Sequence, residues 1–260
     1  MHLDVKYIIF AKNVYDFTAK CEFMTYLPGR RPVDHIKNTL CLMHKLHHKL
    51  IFTFLTLMFF HSNTMGADKI TLPSPAKNGG MPMAETLASR HSERSFDSSK
   101  QLSTQQISNI LWAAVGVNRP AEGKRTNPTA RDAREITAYL FGHEGVFVYE
   151  PETNSLSLVA PGDHRQLVAG TKEFSQDFVL DAPISIVLVA DLSKLPEGPS
   201  TATMAAVDAG IACENINLYC QSVGLATVPR ATMDIDGITK LLGLSDKCMP
   251  IINNPVGYAK

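Results

Sequence analysis

"SRHSERSF", residues 89–96, places Arg90 and Arg94 four positions apart with His91 and serines packed around them. Two kinds of chemistry account for such a stretch. It is either a solvated helix end, where charge contributes little to stability, or a cradle for an anion. A phosphate monoester brings close to two negative charges and several strong acceptor oxygens. Arginine meets them with a rigid fork that engages two oxygens together. On the second reading Arg90 and Ser92 grip such a group and Arg94 reaches another acidic point on the same ligand, while Phe96, next in line, reads as buried.

The surrounding composition narrows the choice. The chain has 260 residues, with 25 Lys and Arg against 25 Asp and Glu, so nothing favours a nucleic-acid or polyanion surface. Hydrophobic residues make up 45% and charged residues 19%, which are values of a globular protein with a substantial core. There is no repeat of fixed period. No G-x-G-x-x-G follows a strand pattern, so a Rossmann dinucleotide site is not supported.

The first quarter of the chain has a different character. "LIFTFLTLMFF", residues 50–60, is an apolar run of eleven without a charge, too short for a bilayer span of about 20 residues. Lys45, Lys49 and three histidines precede it, starting from Met43, and the small residues Gly66 and Ala67 follow it. A basic segment, a short apolar core and a small-residue exit make a signal peptide over 43–67; a buried core element is the alternative. Signal peptides open a protein. Residues 1–42 are therefore expected to lie upstream of the true initiator, with a genuine N-terminal extension as the other account. The expected mature protein is exported, without a stable membrane span.

That processing would remove the "HKLHHK" cluster, Cys21 and Cys41. His91, His143 and His164 remain, too scattered for a zinc site. Cys213, Cys220 and Cys248 also remain, an odd number that argues against a disulfide framework, although one bond stays open. Cys213 and Cys220 share a helical face and read as core.

Residues 68–83 are rich in Pro and Gly and read as an extended leader to a domain over 84–260. A short helix is expected over 84–89. "STQQISNILWAAVG" predicts a helix capped by Ser103 or Thr104 and ended by Gly116. Residues 117–134 read as a polar loop. "EITAYLFG" and "GVFVYEPETNSLSLVA" predict strands, the second turning at 151–154. A helix is expected over 163–174. "APISIVLVAD" is a central strand covered on both faces. "TATMAAVDAGIACENINLYCQSVG" is the longest helix, apolar almost all round and so expected to be buried, between subunits as one possibility. A short helix in "DIDGITKLLG" and a last strand in "PIINNPVGYAK" complete an α+β pattern.

"ETLASRHSERSFDSS", followed by "LSTQQISNILWAAVGVNRP", resembles the opening of the FMN-dependent nitroreductase family, in its short SagB-like and nitroreductase-like members. "NPTARDAREI" looks like the family's P-S-x-x-N-x-Q loop. "ITAYLFGHEGVFVYEP", "INLYCQSVGLATVPRATMD" and "PVGYAK" are similar to its later strands and helix. The resemblance covers about residues 84–260. It implies a central, mostly antiparallel sheet flanked by helices, in a homodimer with FMN at the subunit interface.

The resemblance also implies site residues. Arg90, His91 and Ser92 would hold the FMN phosphate and ribityl chain, with Arg94 near the N1/O2 edge of the ring. Thr129 and Ala130 would approach from the partner subunit. Backbone amides around Ala231 and Thr232 would face N5, and Arg230 either adds positive charge there or is a surface residue. Two positions depart from the family pattern: Asp132 replaces the usual Asn and Arg134 the usual Gln. An anionic Asp132 against flavin requires protonation or a partner, with Arg131 and Arg134 the candidates. Lys260 could stand in for the family's later basic pair.

The implied reaction is transfer of hydride or electrons through the flavin, which does the chemistry itself. The donor would be NADH or NADPH and the acceptor a small electron-poor molecule such as a nitro or quinone compound. An azoline-type dehydrogenase of the same fold is one alternative. An exported FMN-binding protein without turnover is another, since nicotinamide cofactors are cytoplasmic.

Overall fold

The computed structural model describes residues 69–260. The expected signal peptide and the segment before it lie outside the described residues. The fold is α+β, built on one seven-stranded sheet. Its strands are β1 (Lys69–Thr71), β4 (Ile136–Gly142), β5 (Gly145–Glu150), β6 (Ser155–Pro161), β7 (Ile184–Asp191), β8 (Ala226–Thr227) and β9 (Cys248–Gly257). Their order is β1-β6-β5-β4-β7-β9-β8, and every neighbouring pair is antiparallel.

Alternation along β7 explains how the sheet is covered. Ile184, Ile186, Leu188 and Ala190 point into one core, while Val187 and Val189 point into the other. Successive strand side chains face opposite ways, so a strand apolar on both faces, here interrupted only by the buried Ser185 before Asp191 ends it, can serve two cores. The first core is closed by α2 (Thr104–Val115) and α4 (Thr201–Ser222) through Ile110, Leu111, Ala209, Ala212 and Ile216. The second is closed by α3 (Arg165–Ala169) and α5 (Ile235–Leu242) through Val168, Ala169 and Ile238. Full burial of each such side chain contributes about 1.5–3 kcal/mol. Leu188→Ala, at a wholly buried central position, would cost about 2–5 kcal/mol.

Most local expectations hold. The turn between β5 and β6 falls at 151–154. α2 starts at Ser103, whose hydroxyl accepts from the Gln106 amide while the Gln106 side chain accepts from the Ser103 amide, a reciprocal cap. It ends at Gly116, where a Cβ would collide with the Trp112 indole. α5 is capped by Asp234 accepting from Gly237. The short helix before the arginine motif is α1 (Met83–Ser89).

Three expectations need correction. The helix foreseen over 163–174 is only α3; Gly170 leaves helical geometry at φ 149°, and the Gln176 amide returns to the Ala169 carbonyl. The polar loop 117–134 contains a small hairpin of β2 (Val117–Arg119) and β3 (Lys124–Arg125). α4 is buried on one side only. Ala205, Ala209, Ala212, Ile216 and Cys220 are covered, whereas Val207 is 57% exposed. Cys213, Cys220 and Cys248 are free thiols. Among the described residues no helix is long and apolar enough to cross a membrane, and no cluster of three or more His, Cys, Asp or Glu could hold a metal.

Candidate functional site

Residues 90–96 leave α1 in extended form and run beside the sheet edge. The Glu93 amide donates to the Thr227 carbonyl of β8 at 3.0 Å. Phe96, 2% exposed, pairs with Ala259 and stacks on Phe178 with ring centroids 6.3 Å apart. The Asp97 amide donates to the Tyr258 carbonyl, and the Lys260 amide to the Ser95 carbonyl. Phe96 is thus buried as expected, and its pairing with Ala259 brings Lys260 onto the arginine segment.

Within that segment the Arg90 and Arg94 guanidinium groups form no hydrogen bond or ion pair with another described side chain or carbonyl. Arg90 is half-buried; His91, Ser92 and Arg94 are exposed. His91 Nδ1 lies 2.9 Å from the Ser89 carbonyl, and Nε2 lies 3.8 Å from Glu93. Sequence reasoning missed Glu93. Its Oε1 accepts from the amides of Arg94 and Ser95 at 2.8 and 2.7 Å. It fixes the backbone between the two arginines and is a carboxylate inside a cationic segment. The E in "SRHSERSF" was the available signal.

Arg230 is neither a surface residue nor free to reach a ligand. It is 6% exposed. Its Nε donates to Gln176 Oε1, its Nη1 to the Val168 carbonyl and Asn253 Oδ1, and its Nη2 to the Ala169 carbonyl. The guanidinium sits 5.5 Å from the Phe178 ring centroid. Among the described residues no carboxylate pairs with it. Burial, and then the charge of Arg94, lower it to about 10. It is a fixed buried cation beneath the next two residues. Ala231 is exposed and Thr232 half-buried. Among the described residues neither amide donates to a protein acceptor, while the Thr232 carbonyl accepts from Asn253 Nδ2.

The second expected part of the site is the turn at Ala130–Asp132. Arg131, Asp132 and Arg134 have φ of 54°, 56° and 54°. Left-handed geometry at three non-glycine residues within four positions costs about 1 kcal/mol or more apiece. Such strain persists only where its surroundings impose it, and it clusters at functional sites. Here Thr129 Oγ1 accepts from the Arg134 amide, and Asp208 Oδ2 accepts from the Ala130 amide at 2.7 Å. Asp132 is paired, with Arg134 at 2.9 Å and with Lys124 at 2.8 Å; Arg131 takes no part. The hydrogen bonds from Arg134 and Lys124 pull its carboxyl down to about 2, so it is an anion with two partners.

One chain does not bring the two parts together. The arginine segment meets the C-terminal end of α4, where Gln221 Nε2 donates to Ser89 Oγ. The turn meets α4 at Asp208, thirteen residues earlier. At 1.5 Å per residue the two lie about 20 Å apart along the helix. The cavity beside His91, Glu93, Gln221 and Ala259 holds only about 150 Å³, below the roughly 300 Å³ at which small-molecule sites begin.

Comparison with known proteins assigns this architecture. The nitroreductase family model matches residues 87–258. A provisionally named nitroreductase from Ralstonia eutropha JMP134 is 34% identical, with a TM-score of 0.67 over 74% of this chain and 90% of that one. A similarly named protein from Anabaena variabilis ATCC 29413 is 19% identical, with a TM-score of 0.60 over 76% of this chain and 43% of its own length. A nitroreductase family protein from Clostridium novyi NT is 18% identical, with a TM-score of 0.52 over 69% and 86%. At those lower identities the likeness is one of fold. No curated protein matches the chain. With two thirds of its length matched in order, from the arginine segment to the last strand, the chain belongs to the nitroreductase family.

Proposed function

We propose that this oxidoreductase is an FMN-dependent enzyme that works as a homodimer, taking electrons from NADH or NADPH and passing them to a small electron-poor acceptor. The observation that carries the reading is the convergence of unpaired cations and unspent amides. Arg90 and Arg94, without a carboxylate of their own, lie on the segment that Lys260 joins. Arg230 and the amides of Ala231 and Thr232 follow shortly after β8, whose Thr227 carbonyl accepts from the Glu93 amide of that segment. A phosphate ester suits Arg90 and Ser92 as charge-assisted partners.

Bound FMN would supply the redox chemistry, accepting and returning electrons at its ring. The protein's share is electrostatic. Arg94 would sit at the ring edge where negative charge develops on reduction, and the buried Arg230 would add a fixed field that needs no reorganisation. The amides at 231–232 would orient the ring. The strained turn, from Thr129 and Ala130 to the paired Asp132, would complete the pocket from a second copy. The exposed side of α4 around Val207, with a groove of about 360 Å³ beside Trp112, Leu218 and Tyr219, gives that copy an apolar surface.

Purified protein should be yellow, and anaerobic NADH or NADPH should bleach it. A colourless protein that gains no flavin absorbance after FMN addition would sink the proposal. A second reading, an exported flavin-binding protein without turnover, draws on the apolar run at 50–60. Colour that neither nicotinamide bleaches would select it.

A further inference from the structure

Glu135 stands one position before β4, and its side chain is wholly buried, 0% exposed. Neither carboxyl oxygen accepts a well-formed hydrogen bond from another described residue, and the donor nearest to serving it is its own backbone amide. A buried carboxylate without donors is so unfavourable that the group takes up a proton instead. Its acidic neighbour is Asp208 on α4, 5% exposed and within hydrogen-bonding reach. Asp208 does have a donor, the Ala130 amide at 2.7 Å. Two carboxylates sharing one buried site do not both ionise. Asp208 has its charge supported and Glu135 does not, so the proton belongs on Glu135.

We propose that Glu135 is protonated in the folded chain at mildly acidic pH, donates to Asp208, and so positions the Thr129–Asp132 turn on the long helix. Both are positioning residues, since neither reaches the exposed rim of the turn. The arrangement gives each orphaned group a partner. It also explains what holds three left-handed residues in place: a charge-assisted bond from Asp208 to the Ala130 amide, kept at the right angle by the Glu135 hydroxyl.

The other charged groups about the pair leave this assignment intact. Lys194, from the turn after β7, points its Nζ at the Arg134 carbonyl at 3.5 Å. Asp191 gives its amide to the Glu135 carbonyl and engages Ser193 with its carboxylate. Asp132 is held outside by Lys124 and Arg134. Burial first pushes Glu135 up, its own backbone amide opposes this, and Asp208 adds to the rise, to about 7, with Lys194 acting in the opposite sense. The folded chain therefore binds more protons than the unfolded chain between about pH 4.5 and 7. Stability from this group is greatest below that window, falls as pH rises through it, and levels off above.

The test is urea unfolding of the full chain between about pH 5 and 8, comparing wild type with Glu135→Gln. Glutamine keeps the shape and a donor but does not titrate. The wild-type midpoint should fall relative to the variant as pH rises to about 7 and level off above it; parallel curves would overturn the proposal. Infrared spectra of wild type carrying carboxyl-labelled glutamate give a reading that does not depend on the variant folding. A protonated-acid band present at mildly acidic pH and lost at alkaline pH is expected, and its absence would overturn the assignment. Only the ligand arm rests on the flavin reading. FMN affinity should weaken several-fold across the same range in wild type and not in the variant. A titrating Glu135 without any change in FMN affinity would overturn its role in positioning the turn for flavin while leaving the proton where it is.

Discussion

The Lys260 amide donates to the Ser95 carbonyl at 3.0 Å. This bond continues the pairing of Phe96 with Ala259 and sets an exposed lysine beside Arg94. If that lysine adds to the phosphate site, its contribution is that of a solvated charge, about 0.3–1 kcal/mol. Lys260→Ala should weaken FMN binding by about two- to fivefold, measured by flavin fluorescence, and leave riboflavin binding unchanged. Equal losses for both flavins would remove Lys260 from the phosphate site.

Arg90 should matter more. It is half-buried and its guanidinium has no partner among the described residues, so its loss would leave a partly desolvated phosphate short of a charged donor, at about 2–5 kcal/mol. FMN affinity of Arg90→Ala should fall at least about tenfold, with riboflavin little affected. A variant that binds FMN like wild type would move the phosphate elsewhere.

Much of this could be read in the sequence because it is local. The capping box at Ser103 and Gln106, the turn at 151–154 and the nearly continuous apolar run of β7 each sit within a few residues. So does the "SRHSERSF" segment. The failures are tertiary. The helix expected over 163–174 stops at Ala169 because Gly170 turns the chain back, and the polar residues after it offer no apolar stripe to resist that. Arg230 looks like any charged residue beside a strand, and only the carbonyls of Val168 and Ala169, some sixty positions earlier, bury it. Glu135 and Asp208 are separated by most of the sheet. Composition alone does not show that α4 is covered on one side only.

Arg230 offers a stability prediction. Four of its hydrogen bonds end on Gln176, Val168, Ala169 and Asn253. Arg230→Met would leave Gln176 Oε1, the Val168 carbonyl and Asn253 Oδ1 without this donor, each at about 1–3 kcal/mol before relaxation, while the Ala169 carbonyl keeps the Gln176 amide. Urea unfolding should show a loss of about 3–5 kcal/mol. Arg230→Lys should recover part of it, since it restores charge without the fork. A methionine variant as stable as wild type would show that these carbonyls find other donors.

The compartment bears on the donor. Expression from Met43 in a bacterial host should yield protein outside the cytoplasm with a new N-terminus near Ala67. An arginine at Leu55 should block this, because a charge in the apolar core opposes insertion by roughly 2.5–3.5 kcal/mol. Unprocessed wild-type protein in the cytosol would discard the signal and favour cytoplasmic NADH or NADPH as donor.

Assembly and flavin retention should be linked. The arginine segment and the strained turn contact α4 at points about 20 Å apart along its axis, so one copy's turn does not serve its own arginines. A two-fold pairing of long helices in opposite directions would bring each turn to the other copy's segment. Val207, 57% exposed on the apolar side of α4, should lie within that contact. Val207→Glu would place a charge in an apolar interface and should convert a dimer to monomer in light scattering, with FMN lost in parallel. The substitution touches neither the core nor the arginine segment, so the unfolding midpoint of the monomer should stay near that of apo wild type. A monomeric wild-type protein with full FMN occupancy would refute the shared site, and a Val207→Glu dimer that keeps its flavin would place the interface on another face.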